Sequence, residues 1–117
     1  MRLVWVLDCV DADSLADFWT AALGFTREPF HPPYVSVRDP RGQWPELLLQ
    51  QVPEAKTVKN RMHLDLRVNA MEPEVDRLTS LGATVLRGPF DDDGFTTTVL
   101  TDPEGNEFCV IVEPASV

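Results

Sequence analysis

Asp39-Pro40-Arg41-Gly42 and Asp102-Pro103-Glu104-Gly105 are two versions of one turn, 102 − 39 = 63 residues apart. In each, an acid able to accept backbone N–H groups precedes a proline and a glycine, residues that bend and reverse a chain. Working outward, Pro29-Phe30 recurs as Pro89-Phe90 (89 − 29 = 60) and Leu23-Gly24 as Leu81-Gly82 (81 − 23 = 58). A slowly growing offset is what two copies of one unit produce when their loops differ a little. Three matches in the same order predict a duplicated fold.

Each copy reads strand, helix, then three strands. In the first, Leu3-Val4-Trp5-Val6-Leu7 is a strand-like apolar run. A helix follows with Asp11 or Asp13 as its N-cap, because a carboxylate accepts the orphan N–H groups of a first turn. Leu15, Phe18, Trp19, Ala22 and Leu23 then share one helix face, and Gly24 ends it. Strands are expected near 26–30, 34–38 and 46–51. The second copy predicts a strand near 62–68 and a helix opening around Asn69 to Pro73, with Met71, Val75, Leu78 and Leu81 as its apolar stripe. Strands near 84–88, 95–101 and 107–113 complete it. The fold class is therefore α+β, two tandem βαβββ modules with a mostly antiparallel sheet and helices outside. The expected organisation is a single domain over 1–117, with module one about 1–54, a polar linker about 53–60 and module two about 61–117.

Composition agrees with one folded domain. The chain has 117 residues, 44% hydrophobic, with 10 Lys+Arg against 19 Asp+Glu and a net charge of −9. That balance argues against nucleic acid, whose binding rests on neutralising phosphates, and against anionic membrane surfaces. No apolar run approaches the roughly 20 residues a membrane span needs. The apolar start meets Asp8 too early for a signal peptide, and no small-residue cleavage site follows. Cys9 and Cys109, each inside a strand-like run, read as buried free thiols rather than a disulfide. The expectation is a soluble, cytoplasmic protein.

A doubled βαβββ unit of this size resembles the vicinal oxygen chelate superfamily, which includes glyoxalase I, extradiol dioxygenases, fosfomycin-resistance proteins and bleomycin-binding proteins. The resemblance covers nearly the whole chain. Its most specific pieces are Asp102-Pro103-Glu104-Gly105-Asn106 before the last strand and the junction from Val52 to Leu66, which is similar to the glyoxalase-like branch of small bacterial proteins. It implies a cupped sheet and, in metal-dependent members, four ligands converging inside it: His on the first strand, Glu or Gln on the fourth, His on the fifth and Glu on the eighth. Carried over, those positions fall on Val4, Gln50, His63 and Cys109. Valine has no lone pair to give and cysteine replaces the carboxylate, so the resemblance implies a lost metal site and no cofactor. The alternative is a modified site in which His63, Gln50 and a Cys109 thiolate hold a soft metal such as zinc.

Several residues stay conspicuous. Leu64, Leu66 and Val68 form one face of the fifth strand, and His63, Asp65 and Arg67 the other. Such a face is either simply solvated or a set of convergent polar groups that orients a ligand. Lys56, Lys59, Arg61 and Arg67 gather positive charge near His63, which suits an anionic ligand. Asp91-Asp92-Asp93 suits a cationic one, unless it is only a solvated turn. Trp5 and Trp19 read as core. Trp44 lies in an insertion the second copy lacks, open to stacking on a ligand or packing at a dimer seam. Cys109 reads as inert unless positive charge lowers its pKa. No phosphate loop, nucleophile elbow or CxxC pair is present.

The leading expectation is a metal-independent small-molecule-binding homodimer using His63, Gln50, Asp65, Arg67, Cys109 and Trp44. The alternative is a lyase, isomerase or dioxygenase-type enzyme with His63 as general base or part of a modified metal site. A third class is an interaction module whose cup is filled by side chains.

Overall fold

The structure, a computed structural model, describes residues 1–115. The chain divides into two compact units between Lys56 and Thr57, inside the expected linker.

The first unit runs β1 (Val4–Cys9), α1 (Ala12–Leu23), β2 (Thr26–Arg27), β3 (Tyr34–Arg38) and β4 (Glu46–Gln51), in sheet order β1-β4-β3-β2. β1 runs parallel to β4, and β3 is antiparallel to both β4 and β2. The second unit repeats this plan with β5 (Asp65–Arg67), α2 (Met71–Leu81), β6 (Thr84–Asp92), β7 (Phe95–Thr101) and β8 (Glu107–Val112), in order β5-β8-β7-β6. Again the first strand is parallel to the last and the other pairs are antiparallel. A parallel pair needs a long crossover, and the helix of each module lies within it.

Local chemistry explains the elements. Asp11 caps α1, its carboxylate accepting from the Ser14 N–H at 3.1 Å. Leu15, Phe18, Trp19 and Ala22 are buried, and the Phe18 and Trp19 rings meet edge to face at 5.1 Å. The first sheet supplies Val35, Val37, Leu47 and Leu49 to its core; the second supplies Leu100, Phe108 and Val110 beneath Leu78. In the repeated turn, the Asp39 carboxylate accepts from the N–H groups of Arg41, Gln43 and Trp44 at 2.9–3.1 Å. Asp102, only 2% exposed, accepts from the Glu104 and Asn106 N–H groups and from the Asn106 side chain. Both cysteines are buried thiols outside any disulfide. Among the described residues, no helix is long and apolar enough to cross a membrane.

The structure departs from expectation in five places. β5 spans only Asp65–Arg67, against a strand expected near 62–68, so His63 precedes it. β2 is two residues long, although the Glu28 N–H still donates to the Ser36 carbonyl. Trp5 is half-buried rather than core. α2 buries only Leu78 of its expected stripe, with Met71 and Val75 half-buried and Leu81 exposed. β6 continues past Pro89 to Asp92, because register shifts after Val85 and Arg87 let the strand accommodate a residue that cannot donate.

Candidate functional site

Alternation along β5 and the residues on either side of it divides the side chains. Leu64, Leu66 and Val68 are half-buried, whereas His63, Asp65 and Arg67 are exposed. The parallel register pairs Asp65 with Cys109, and the Cys109 N–H donates to the Leu64 carbonyl at 2.9 Å. Cys109 is in turn opposite Val99 on β7, and Val99 opposite Arg87 on β6. Directly paired residues share a face, so Asp65, Cys109, Val99 and Arg87 form one row across the second sheet.

Asp65 is the hub of this face. His63 Nε2 lies 3.1 Å from Asp65 Oδ1, and Arg67 Nη2 lies 3.7 Å from Asp65 Oδ2. Arg67 also donates to Glu113 at 3.2 Å and sits over the Phe95 ring, 5.2 Å from its centroid. His63 and Asp65 form a salt bridge when the imidazole carries a proton on both nitrogens. One ligand atom each from His63, Asp65 and Cys109 lies within 4.8 Å of the other two, so among the described residues these three form a group that could hold a metal ion.

Cys109 is 9% exposed. Burial pushes its thiol pKa up, and the nearby Asp65 carboxylate pushes it further, against the opposing pull of Lys59 and Arg87. The thiol is not activated by its surroundings as a nucleophile.

A reciprocal clasp shapes the approach to His63. The Asn60 N–H donates to the Glu107 carboxylate at 3.0 Å, and the Glu107 N–H donates back to Asn60 Oδ1 at 2.9 Å. This ties the residue three before His63 to the first residue of β8. Sequence reading missed Asn60, Glu107 and Glu113. Glu113 was within reach of alternation, being two residues beyond Ile111, the partner of Arg67.

The remaining expected residues belong to other elements of the chain. Gln50 is in the first unit, half-buried on β4 between Asp8 and Tyr34. Trp44 is 64% exposed in the loop before β4, and His31 bridges to Tyr34 in the same unit. Lys59 and Arg61 are exposed, while Arg67 is already flanked by two carboxylates. Asp91 and Asp92 are the end of β6, and Asp93 occupies the β6–β7 turn at φ 53°.

A profile of the glyoxalase-like domain matches residues 5–111. The chain belongs to the glyoxalase-like domain family. With its paired βαβββ units, the glyoxalase-like chain falls in the vicinal oxygen chelate superfamily. No curated protein sequence matches it. Among solved structures, it is similar to a glyoxalase/bleomycin resistance protein/dioxygenase family enzyme from Burkholderia phytofirmans PsJN, with TM-score 0.79, 16% identity and coverage of 96% of this chain and 98% of that one. A member of the same superfamily from Sphaerobacter thermophilus DSM 20745 gives TM-score 0.70, 21% identity and coverage of 97% and 98%. The hypothetical protein SA1046 from S. aureus gives TM-score 0.72, 22% identity and coverage of 96% of both. At such identities the likeness is one of fold, and the chemistry of this glyoxalase-like domain rests on its own residues.

Proposed function

We propose that this glyoxalase-like protein binds a small molecule through the His63–Asp65–Arg67 face, acts as a homodimer, and does without the four-ligand ion site of metal-using relatives. The observation that carries the reading is Asp65 joined at once to His63 and Arg67, with side chains still 43%, 32% and 49% exposed for His63, Asp65 and Arg67. Polar groups fixed by one another but open to solvent suit a ligand, since less side-chain entropy remains to be lost on binding.

The two parallel registers support absence of the four-ligand site. β1 begins with Val4 opposite Glu46, and Val6 is opposite Leu48; in the second unit Asp65 is opposite Cys109. With Val4 as the counterpart of His63, Leu48 rather than Gln50 is the counterpart of Cys109. Two of the four positions are then hydrocarbon, which does not fit an ion needing several oxygen or imidazole ligands.

A thermal-shift screen with anionic and cationic compounds tests the binding reading. A compound that stabilises the native chain and not His63→Ala supports it; no shift with any compound refutes it. One observation favours a second reading. An imidazole set beside a carboxylate, as His63 is beside Asp65, is a pairing that general bases use, so turnover of a carbon acid lost in His63→Ala would mark a lyase or isomerase.

A further inference from the structure

The geometry points to a three-donor site for a soft divalent ion of the zinc class, formed by His63 Nε2, Asp65 Oδ1 and Cys109 Sγ within the second unit alone. It shares the face proposed above for the small molecule, but stands whether or not such a molecule binds. Of its donors, His63 and Cys109 occupy two of the four positions of metal-using relatives, but Asp65 lies outside that set and no residue of the first unit is required.

The donor atoms are already gathered. One ligand atom from each residue lies within 4.8 Å of the other two, and His63 Nε2 is 3.1 Å from Asp65 Oδ1. Bonds of about 2.0–2.3 Å to a tetrahedral ion set its donors roughly 3.3–3.7 Å apart. Closing that gap takes only side-chain rotation of His63 and Asp65, both exposed on β5 or just before it. The strand register that pairs Asp65 with Cys109 puts the thiol on the same face as the carboxylate. The Asp65 carboxylate can ligate through Oδ1 while Oδ2 keeps Arg67, which holds the carboxylate in orientation as an outer partner does.

The donor set selects the ion. One imidazole, one carboxylate oxygen and one thiolate suit zinc, whereas magnesium and calcium want six or more oxygens. On binding, the thiol proton leaves to solvent, and neutral imidazole, carboxylate and thiolate carry two negative charges against the two positive charges of the ion. Three protein donors leave a fourth position open, the pattern of a zinc site that takes an outside ligand.

The test uses the full chain stripped with a chelator and titrated with Co²⁺ and then Zn²⁺. The expected result is one ion per chain, with a thiolate-to-cobalt charge-transfer band that Cys109→Ser abolishes and zinc bleaches. Removing a ligand should cost at least the roughly 10–100-fold in affinity lost with an outer-shell partner, in Asp65→Asn and His63→Ala alike. His31→Ala should keep wild-type affinity, and Mg²⁺ at the same concentration should leave the melting temperature unchanged. Asp65→Asn, exposed and nearly isosteric, keeps the test decisive if Cys109→Ser fails to fold. No cobalt–thiolate band in the native chain, or zinc affinity unchanged from the native chain in all three ligand variants (an adventitious ion only), overturns the site. The small-molecule reading is judged separately by repeating the thermal-shift screen in chelator, where a retained shift upholds it and no shift with or without zinc refutes it.

Discussion

Asp102→Ala and Asp39→Ala remove the same residue from the two copies of the repeated turn and should have very different effects. At Asp102 the carboxylate is 2% exposed and serves the Glu104 N–H, the Asn106 N–H and both oxygens' contacts with Asn106 Nδ2, at 2.9–3.0 Å. Alanine leaves two donors of the buried Asn106 without that partner. A buried unsatisfied donor costs about 1–3 kcal/mol, so the expected loss is about 2–6 kcal/mol, a large share of the roughly 5–15 kcal/mol of a typical domain. Asp39 serves three N–H groups of comparable length in an exposed turn, where water replaces the carboxylate. Urea unfolding followed by far-UV circular dichroism measures both variants, read as midpoints at unchanged slope. A midpoint for Asp39→Ala as low as that for Asp102→Ala would refute the argument that burial, not the number of bonds, sets the cost.

Further outcomes follow from other positions. Gly88→Ala forces a side chain to φ +113° and brings its Cβ to 2.7 Å from the Thr97 carbonyl oxygen and 2.9 Å from Thr98 Cα; the backbone strain alone costs about 1–3 kcal/mol, so a lower urea midpoint is expected. The raised Cys109 pKa predicts slow alkylation of the metal-free protein at neutral pH, accelerating only above the usual thiol value of about 8.5, with its contribution to stability lost as pH rises past that value. An alkylation rate matching a model thiol at pH 7 would contradict it. The backbone N–H groups of Arg41, Gln43 and Trp44 hold the Asp39 carboxyl below its usual range, the Arg41 bond contributing most. Its contribution is therefore full above about pH 3.9 and fades as pH falls through the lower folded value, checked by NMR titration of that carboxyl. Light scattering at micromolar concentration should give twice the monomer mass; a monomer removes the homodimer proposal.

Much of the fold was legible because the repeat and the alternation are local. Tyr34–Arg38, Glu46–Gln51 and Phe95–Thr101 lie where their apolar periods predict, and Asp11 caps α1. β6 was less so: Pro89 reads as a stop, and only the partner strand β7 reveals the register shifts that carry pairing past it. The thin core face of α2 was equally hidden, since a helical stripe identifies which residues share a side and not how closely anything covers them. At the candidate site the same limit applies. Alternation puts His63, Asp65 and Arg67 on one side of β5, but the meeting of Asp65 with Cys109 depends on strand register. The clasp between Asn60 and Glu107 joins residues 107 − 60 = 47 apart and leaves no local pattern to find.

That clasp has a mechanical consequence. On one side, the Val52 N–H is secured to the Cys9 carbonyl at 2.7 Å, and on the other, Asn60 is pinned to the start of β8. Any exchange of modules between two chains must therefore hinge within Pro53–Lys59, and shortening that seven-residue tether (59 − 53 + 1) would restrict such an exchange without touching a strand of either sheet.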